Sequence, residues 1–335
     1  MIRDALAQLA AKKDIGYDMA YGVMNEIMTG QASDVLKSAY LTALAMKGET
    51  IEEISGSAAA MRDHALVMPH EGDALEIVGT GGDNFGSFNI STTAAFVISA
   101  AGVPVAKHGN RAASSKCGAA DVLEALGANI MISPERSSEI FKEIGMCFMF
   151  AQVYHIAMKY VGPIRKELGI RTVFNILGPI TNPARANLQV LGVYDEAIME
   201  DQARVLTNLG VVRGMVVYGQ DKMDEITVTA PTSIVEIDHG AYKKYVITPE
   251  QFGMKTAARE ELIGGTPAEN ADITRAILSG AQGPKTDAVL LNAAAGIVVG
   301  GKAKDLADGI AIAREVISSG AAKDRMEAFI RLSNE

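Results

Sequence analysis

Leu75-Glu76-Ile77-Val78-Gly79-Thr80-Gly81-Gly82-Asp83 is the stretch on which the fold is decided. A short apolar-rich run ends in a glycine cluster, which predicts a strand followed by a tight turn. Asn89-Ile90-Ser91-Thr92-Thr93 then leads into Ala94-Ala95-Phe96-Val97-Ile98-Ser99-Ala100-Ala101, apolar nearly all round. That pattern predicts a buried helix with Asn89 or Ser91 as its N-cap. Glycines let backbone approach a ligand, and the unpaired amides of a helix start attract anions. Alone, the segment reads equally well as the turn of an ordinary α/β domain. It is not a dinucleotide fingerprint, because Asn84 stands where the third Gly or Ala belongs, and there is no Gly-Lys-Ser/Thr P-loop.

A second segment repeats the logic. Val103-Pro104-Val105-Ala106 predicts a short strand, followed at once by Lys107-His108-Gly109-Asn110-Arg111. Ala112-Ala113-Ser114-Ser115-Lys116-Cys117-Gly118 leads on to a helix with Val122, Leu123 and Leu126 on its apolar face. Lysine, arginine, serines and glycines in one loop suit a phosphate or pyrophosphate. A lone basic loop reads as solvated surface. Directly after a buried strand it reads as a binding loop, since α/β proteins bind ligands at the carboxyl ends of their strands.

Further along, Asp224-Glu225 falls between the predicted strands Met215–Tyr218 and Ile226–Thr229. By themselves the two carboxylates read as a solvated turn; beside a pyrophosphate site they become candidate magnesium ligands. Arg165, in Tyr160-Val161-Gly162-Pro163-Ile164-Arg165, has a guanidinium able to grip a carboxylate in bidentate fashion, or is an exposed arginine at a helix start. His108 and His155 are possible general bases or structural side chains, and no acid or base is assigned to either.

The chain has 335 residues, enough for a large domain and a smaller one. With 48% hydrophobic and 21% charged residues it has the composition of a globular enzyme. A net charge of −9 argues against nucleic acid as a partner. Cys117 and Cys147 are too few for a disulfide framework or zinc site and suit a reducing cytoplasm. The longest mostly apolar run, Thr92 to Ala106, falls short of the ~20 residues of a membrane span and is broken by Gly102 and Pro104, so no membrane association is expected. Residues 1–68 show helix periodicity, at Ala20, Val23, Met24, Ile27 and Met28 and again at Leu36, Tyr40, Leu41 and Leu44. From Leu75 onward, strand-like and helix-like segments alternate, which predicts an α/β fold with a mainly parallel central sheet flanked by helices. Helices are expected over Asp195–Leu209, Pro267–Leu278, Leu290–Val299 and Ala303–Ile317.

The ordered set Gly-Thr-Gly-Gly-Asp, Asn-Ile-Ser-Thr, Lys-His-Gly-Asn-Arg, Ser-Ser-x-Cys-Gly-x-Ala-Asp and a later Asp-Glu pair resembles the anthranilate phosphoribosyltransferase family. The likeness runs almost end to end, through Met46-Lys47-Gly48-Glu49-Thr50, Arg171-Thr172-Val173-Phe174-Asn175-Ile176-Leu177-Gly178-Pro179 and Leu291-Asn292-Ala293-Ala294-Ala295. It implies transfer of phosphoribose from phosphoribosyl pyrophosphate (PRPP) to the amine of anthranilate, in tryptophan biosynthesis. It also implies a small N-terminal helical domain (1–68), joined by helices near 160–185, beside a larger α/β domain (69–335), and a homodimer formed through the helical part.

Carried onto this chain, the resemblance places PRPP on Gly79, Gly82, Asp83, Ser87, Asn89, Ile90, Ser91, Thr92, Lys107, His108, Gly109, Asn110, Arg111, Ala112, Ala113, Ser114, Ser115 and Ala119. Anthranilate meets Gly79, Asn110 and Arg165. Two magnesium ions per site use Ser91, Asp224 and Glu225, and Lys107, Arg111 and metal stabilise the leaving pyrophosphate. Four positions depart from the family pattern. Ala119 replaces a frequent serine, Lys222 replaces the glycine of the Asp-Gly-x-Asp-Glu run, and Gln152 and Ile156 stand where prolines are common. A pyrimidine nucleoside phosphorylase shares the plan, and a non-catalytic nucleic-acid-binding relative is the alternative of another class.

Overall fold

A computed structural model describes residues 1–112 and 115–335. Four helices come first: α1 (Ile2–Ala10), α2 (Gly16–Met28), α3 (Asp34–Lys47) and α4 (Ile51–Asp63). The apolar stripes read from the sequence face inward, with Val23, Met24 and Ile27 of α2 and Tyr40, Leu41 and Leu44 of α3 fully buried. Local chemistry sets the starts. Ser33 caps α3 by accepting the Leu36 N–H, and Thr50 with Glu53 forms a reciprocal capping box on α4.

Alternation begins at residue 75. β1 (Leu75–Gly79), α5 (Ile90–Ala100), β2 (Val105–Gly109), α6 (Ala119–Leu126), α7 (Pro134–Ile144) and β3 (Met146–Phe150) build one side of the sheet. The chain leaves it through α8 (Ala151–Tyr154), α9 (Gly162–Leu168) and α10 (Phe174–Ile180). It returns as β4 (Leu188–Gly192), α11 (Met199–Asn208), β5 (Arg213–Gly219) and the hairpin β6 (Thr232–Asp238) with β7 (Ala241–Ile247). The last helices are α12 (Pro267–Leu278), α13 (Pro284–Val299), α14 (Leu306–Ser318) and α15 (Ala321–Ser333).

The strand order is β3-β2-β1-β4-β5-β6-β7, parallel from β3 to β5 and antiparallel in the final two pairings. The winding runs outward from β1 to β3 and then returns to β4, so the order reverses between β1 and β4. Beyond the carboxyl ends of such a pair lies the crevice where α/β proteins bind ligands. Here that point is marked by Gly79 paired with Gly192.

One apolar core lies between the sheet and helices α5, α12, α13, α14 and α15. A second joins α1–α4 to α10, α11 and the opposite face of β4, β5 and β6. Two buried cations add polar links across this second core. Arg62 of α4 donates from Nε to the Ile180 carbonyl at 3.0 Å and from Nη1 to the Leu209 carbonyl at 2.7 Å, at the ends of α10 and α11. Lys37 of α3 donates to the Tyr160 carbonyl at 2.7 Å, just before α9.

Three expectations need correction. Lys107-His108-Gly109, read as the start of the loop, are the last three residues of β2 and pair with β3, so the strand runs on through the basic residues. Ile226–Thr229 is not a strand but a buried loop ahead of β6. Asn292 of α13 accepts the Ile226 N–H at 3.0 Å and donates to the Ile226 carbonyl at 2.7 Å, and the Thr227 N–H bonds the Thr232 hydroxyl. Side chains thus take the bonds a strand partner would have made, and the apolar alternation reports burial alone. The helix expected from Leu290 starts earlier, at Pro284, because proline suits a first helical turn.

Arg62 has no carboxylate partner among the described residues; two helix-end carbonyls and burial hold it. Arg62→Ala is expected to cost about 2–3 kcal/mol, since both carbonyls lose their donor in a buried seam. Urea denaturation of parent and variant measures it, and an unchanged midpoint would show that the seam closes without this side chain.

Candidate active site

The polar residues at the switch point are buried together. Lys107 of β2 has only 1% of its surface exposed. Its ammonium donates to the Ile77 carbonyl of β1 and approaches the Ser91 hydroxyl at 3.4 Å. Glu225 accepts the Ser91 N–H at 3.2 Å, so a carboxylate from a distant loop serves a free amide at the start of α5. Asn89 is the N-cap residue there, but its side chain caps nothing; it bonds Cys117 and Asn270 instead.

Asp224 fits its place only because two residues lack a side chain. A Cβ on Gly79 would overlap its carboxylate, and a Cβ on Gly192 would overlap its main-chain carbonyl. Asp224 Oδ2 accepts the Gly81 N–H at 2.6 Å. Burial, with the charges of Asp83 and Glu225, raises the Asp224 carboxyl well above its ordinary range. Burial likewise pushes Glu225 up to about 7, against the pull of Lys107. The Lys107 ammonium is lowered by burial and supported by Glu76, Glu225 and Asp224. Asp224 and Glu225 are therefore not the solvated turn that they resemble in isolation.

The glycine loop has a second clasp. Arg171, between α9 and α10, donates to the Gly82 carbonyl at 2.8 Å and lies 4.0 Å over the Tyr194 ring. Asp83 bonds the Phe85 N–H at 3.1 Å, while its buried Oδ2 has no protein partner. Ser87 forms an isolated bridge with Ile263, and Ile90 and Thr92 are buried in the first turns of α5.

The loop after β2 is organised around α6. Asp121 accepts the Ala112 and Gly118 N–H groups at 2.8 and 2.9 Å, and Ala120 N–H bonds the Asn110 carbonyl. Arg111 is exposed and paired with Asp121 and, through both terminal nitrogens, with Glu124. Its guanidinium is thus already engaged by carboxylates. Gly109 faces Phe148 and Ala119, Ser115 bonds the Cys117 carbonyl, and Ala113 and Ser114 lie outside the described residues.

On the other face of β2, the rings of His108 and His155 stand 4.9 Å apart, both buried and both with Nε2 unpartnered. Burial, with His155 and Lys107 nearby, lowers His108 well below its ordinary value, and burial brings His155 to about 4. Arg165 of α9 lies 5.1 Å over the Phe174 ring, its guanidinium lowered by burial. No contact joins it to the Lys107 cluster.

Residues 71–323 match the model of the glycosyl transferase family a/b domain, and residues 3–65 match its helical bundle domain. Over the whole of both chains, this sequence is 58% identical to an anthranilate phosphoribosyltransferase of Methanobrevibacter smithii. The chain belongs to the anthranilate phosphoribosyltransferase family. Its structure superposes on that of the Thermus thermophilus enzyme with a TM-score of 0.94, at 44% identity, covering 99% of this chain and 100% of that one. The Saccharomyces cerevisiae enzyme in complex with PRPP and Mg matches with a TM-score of 0.92, at 27% identity, covering 99% and 98%.

Sequence reasoning passed over Arg171, Glu76, Asn182 and Asn292 as site residues. A charged residue inside the apolar run Leu75–Val78 was the one available signal, for Glu76. The donor set offers a divalent cation hard oxygens: Asp83, Asp224 and Glu225 carboxylates and the Ser91 hydroxyl. Burial is the main reason Asp224 is raised; positive charge would relieve the repulsion from Asp83 and Glu225 that adds to it, and Asp83 Oδ2 lacks a partner. Among the described residues no group of three His, Cys, Asp or Glu is placed to hold a metal ion by itself, Asp83, Asp224 and Glu225 included. Magnesium takes one or two carboxylates and completes its shell with phosphate and water.

Of the departures from the family pattern, Gln152 and Ile156 lie at α8 and just after it, Ile156 exposed and Gln152 largely so. Lys222 takes φ +75°, so the turn keeps a left-handed residue with a Cβ in place. Lys222→Gly is expected to stabilise the fold by about 0.5–1 kcal/mol, the left-handed penalty less the entropy glycine loses on folding. A thermal midpoint equal to or below the parent's would count against strain at this turn.

The histidine pair gives a pH signature. Folded His155 sits below the unfolded value, so its stability is present above about 6.5 and is lost as pH falls toward 4. His155→Gln should therefore remove about 2 kcal/mol of the stability lost between neutral pH and pH 5. Parallel denaturation curves for parent and variant across that range would contradict it.

Proposed function

We propose that the protein transfers phosphoribose from PRPP to the amine of anthranilate, releasing pyrophosphate and forming N-(5-phosphoribosyl)anthranilate. The observation that carries this reading is the buried ammonium of Lys107 beside Ser91, Glu225 and Asp224 at the switch point of a chain of this family. The donor is assigned to Gly79, Gly82, Asp83, Ser87, Asn89–Thr92, the segment Lys107–Ser115 and Ala119. The leaving pyrophosphate gains negative charge as ribose C1 turns oxocarbenium-like, and Lys107, held in low dielectric, stabilises that charge. Arg111 joins only if donor phosphates displace Glu124 from it.

Gly79, Asn110 and Arg165 are assigned to anthranilate, with Arg165 gripping its carboxylate. The amine is neutral and nucleophilic, so the task of the site is orientation, and no protein base is assigned. Magnesium, two ions to a site, is assigned to Asp224, Glu225 and Ser91 and would neutralise charge on the pyrophosphate.

The same reading divides the chain at about residue 68, with helices near 160–185 counted with the helical domain. It assigns a homodimer formed through that domain. Support for the dimer comes from Val35 and Met46, 78% and 83% exposed, which lie three turns apart on one face of α3. A cytoplasmic setting agrees with two buried free cysteines and with the lack of any described helix long and apolar enough to cross a membrane.

Loss of anthranilate fluorescence with PRPP and magnesium tests the reaction. Turnover of uracil or thymidine with phosphate, and none of anthranilate, would move the assignment to a nucleoside phosphorylase. For the metal ligands, Asp224→Asn with Glu225→Gln keeps shape and removes two charges. Turnover should fall by at least about a hundredfold with the fold intact, and excess magnesium should restore part of it. Near-parental turnover would remove these carboxylates from the mechanism.

A further inference from the structure

β1 and β2 are neighbours in the sheet, yet they pair regularly at one point only, Leu75 with Val105. β1 pairs with β4 over five residues, and β2 with β3 over five. A parallel ladder continued from Leu75 and Val105 would join the Ile77 N–H to the Ala106 carbonyl and the His108 N–H to the Ile77 carbonyl. Each of those groups meets a side chain instead. The Ala106 carbonyl accepts Asn182 Nδ2 at 2.8 Å. The His108 N–H donates to Glu76 Oε2 at 2.8 Å, and the Ile77 N–H lies against the same carboxylate. The Ile77 carbonyl accepts the Lys107 ammonium.

Glu76 and Asn182 are both fully buried, and they bond one another, Asn182 Nδ2 donating to Glu76 Oε2. Asn182 is itself fixed, its Oδ1 accepting the Ala184 N–H at 2.8 Å. Burying a carboxylate whose nearest cation, Lys107, makes no direct ion pair with it is costly, and a regular ladder between apolar residues would close the same seam at lower cost. The distinctive result of the substitution is a free Ile77 carbonyl. In a regular ladder the His108 N–H would take part of that acceptor's capacity, and the Lys107 ammonium would share it instead of holding it alone.

We propose that Glu76 and Asn182 are positioning residues of the donor subsite. By taking the ladder groups beyond Leu75 and Val105, they hold the ends of β1 and β2 apart and leave the Ile77 carbonyl to fix the Lys107 ammonium beside Ser91. The inference deepens the donor assignment above and rests on it for the ligand, PRPP, though not for the geometry.

Two variants test it, Glu76→Leu, which removes the acceptor at similar size, and Asn182→Ala, each with two readouts. In calorimetry with magnesium, PRPP should bind about tenfold more weakly to both, the effect of one lost buried hydrogen bond, while the KM for anthranilate stays within about threefold. In hydrogen exchange, the amides of His108 to Asn110 should exchange faster, with β4 and β5 unchanged. PRPP affinity at the parental level in both variants would overturn the proposal. So would PRPP and anthranilate constants rising in step, or loss of folding, since the seam would then serve the fold alone. If the parent itself does not bind PRPP, the functional reading fails, and exchange alone decides. Faster exchange confined to His108–Asn110 would sustain the positioning role, and unchanged exchange would end it.

Discussion

A buried ammonium is the constraint around which the rest of the site is arranged. Lys107 sits in the middle of an interior strand, where a positive charge is stable only if dipoles and carboxylates replace water. The Ile77 carbonyl and Ser91 hydroxyl supply the first, and Glu76, Glu225 and Asp224 the second. Burial raises both Asp224 and Glu225 above the ordinary carboxylate range, and the charge of Asp83, with that of Glu225 on Asp224, adds to it. The site is thus tuned to accept further positive charge, and a cation that shares its shell with phosphate meets that need.

The sheet supplies the geometry. The reversal between β1 and β4 opens a crevice, and two facing glycines let the main chain of Asp224 settle across it. On the other side of β1 the ladder is interrupted by Glu76 and Asn182, so the strand ends diverge where Lys107 must stand. The loop that carries Asp224 and Glu225 is pinned from behind by Asn292, both of whose bonds to Ile226 are made to main-chain groups. Each support is polar and buried, and each uses backbone groups that regular structure would have consumed.

The helical part is bound to this frame by shared apolar core and by cations that grip carbonyls. Arg62 holds the ends of α10 and α11, and Lys37 holds the turn before α9. Arg165 and Arg171 belong to the same connecting segment; the first rests on Phe174, and the second reaches back to Gly82. The segment therefore touches the helical bundle at one end and the glycine loop at the other.

The α/β class, the helical start, the strand–glycine–helix unit at residues 75–101 and the loop after β2 were all legible in the sequence. Each rests on local periodicity or on residue types that few backbone conformations tolerate. The strand assigned to Ile226–Thr229 was misread, because alternating apolar residues report burial, whereas a strand also needs a partner, and here Asn292 and Thr232 take its place. Nor could spacing show that Arg111 is held by Glu124 or that Asp224 rests on Gly79 and Gly192, since those contacts are made by the folded chain and not by its local pattern. Glu76 is the clearest case. Its charge within an apolar strand was visible, but what it does depends on Asn182, about a hundred residues away, and on a ladder left unmade. Residue type and local pattern set which elements form; only the packed sheet decided which polar groups were left without backbone partners, because a buried donor or acceptor takes whatever partner the fold brings within reach.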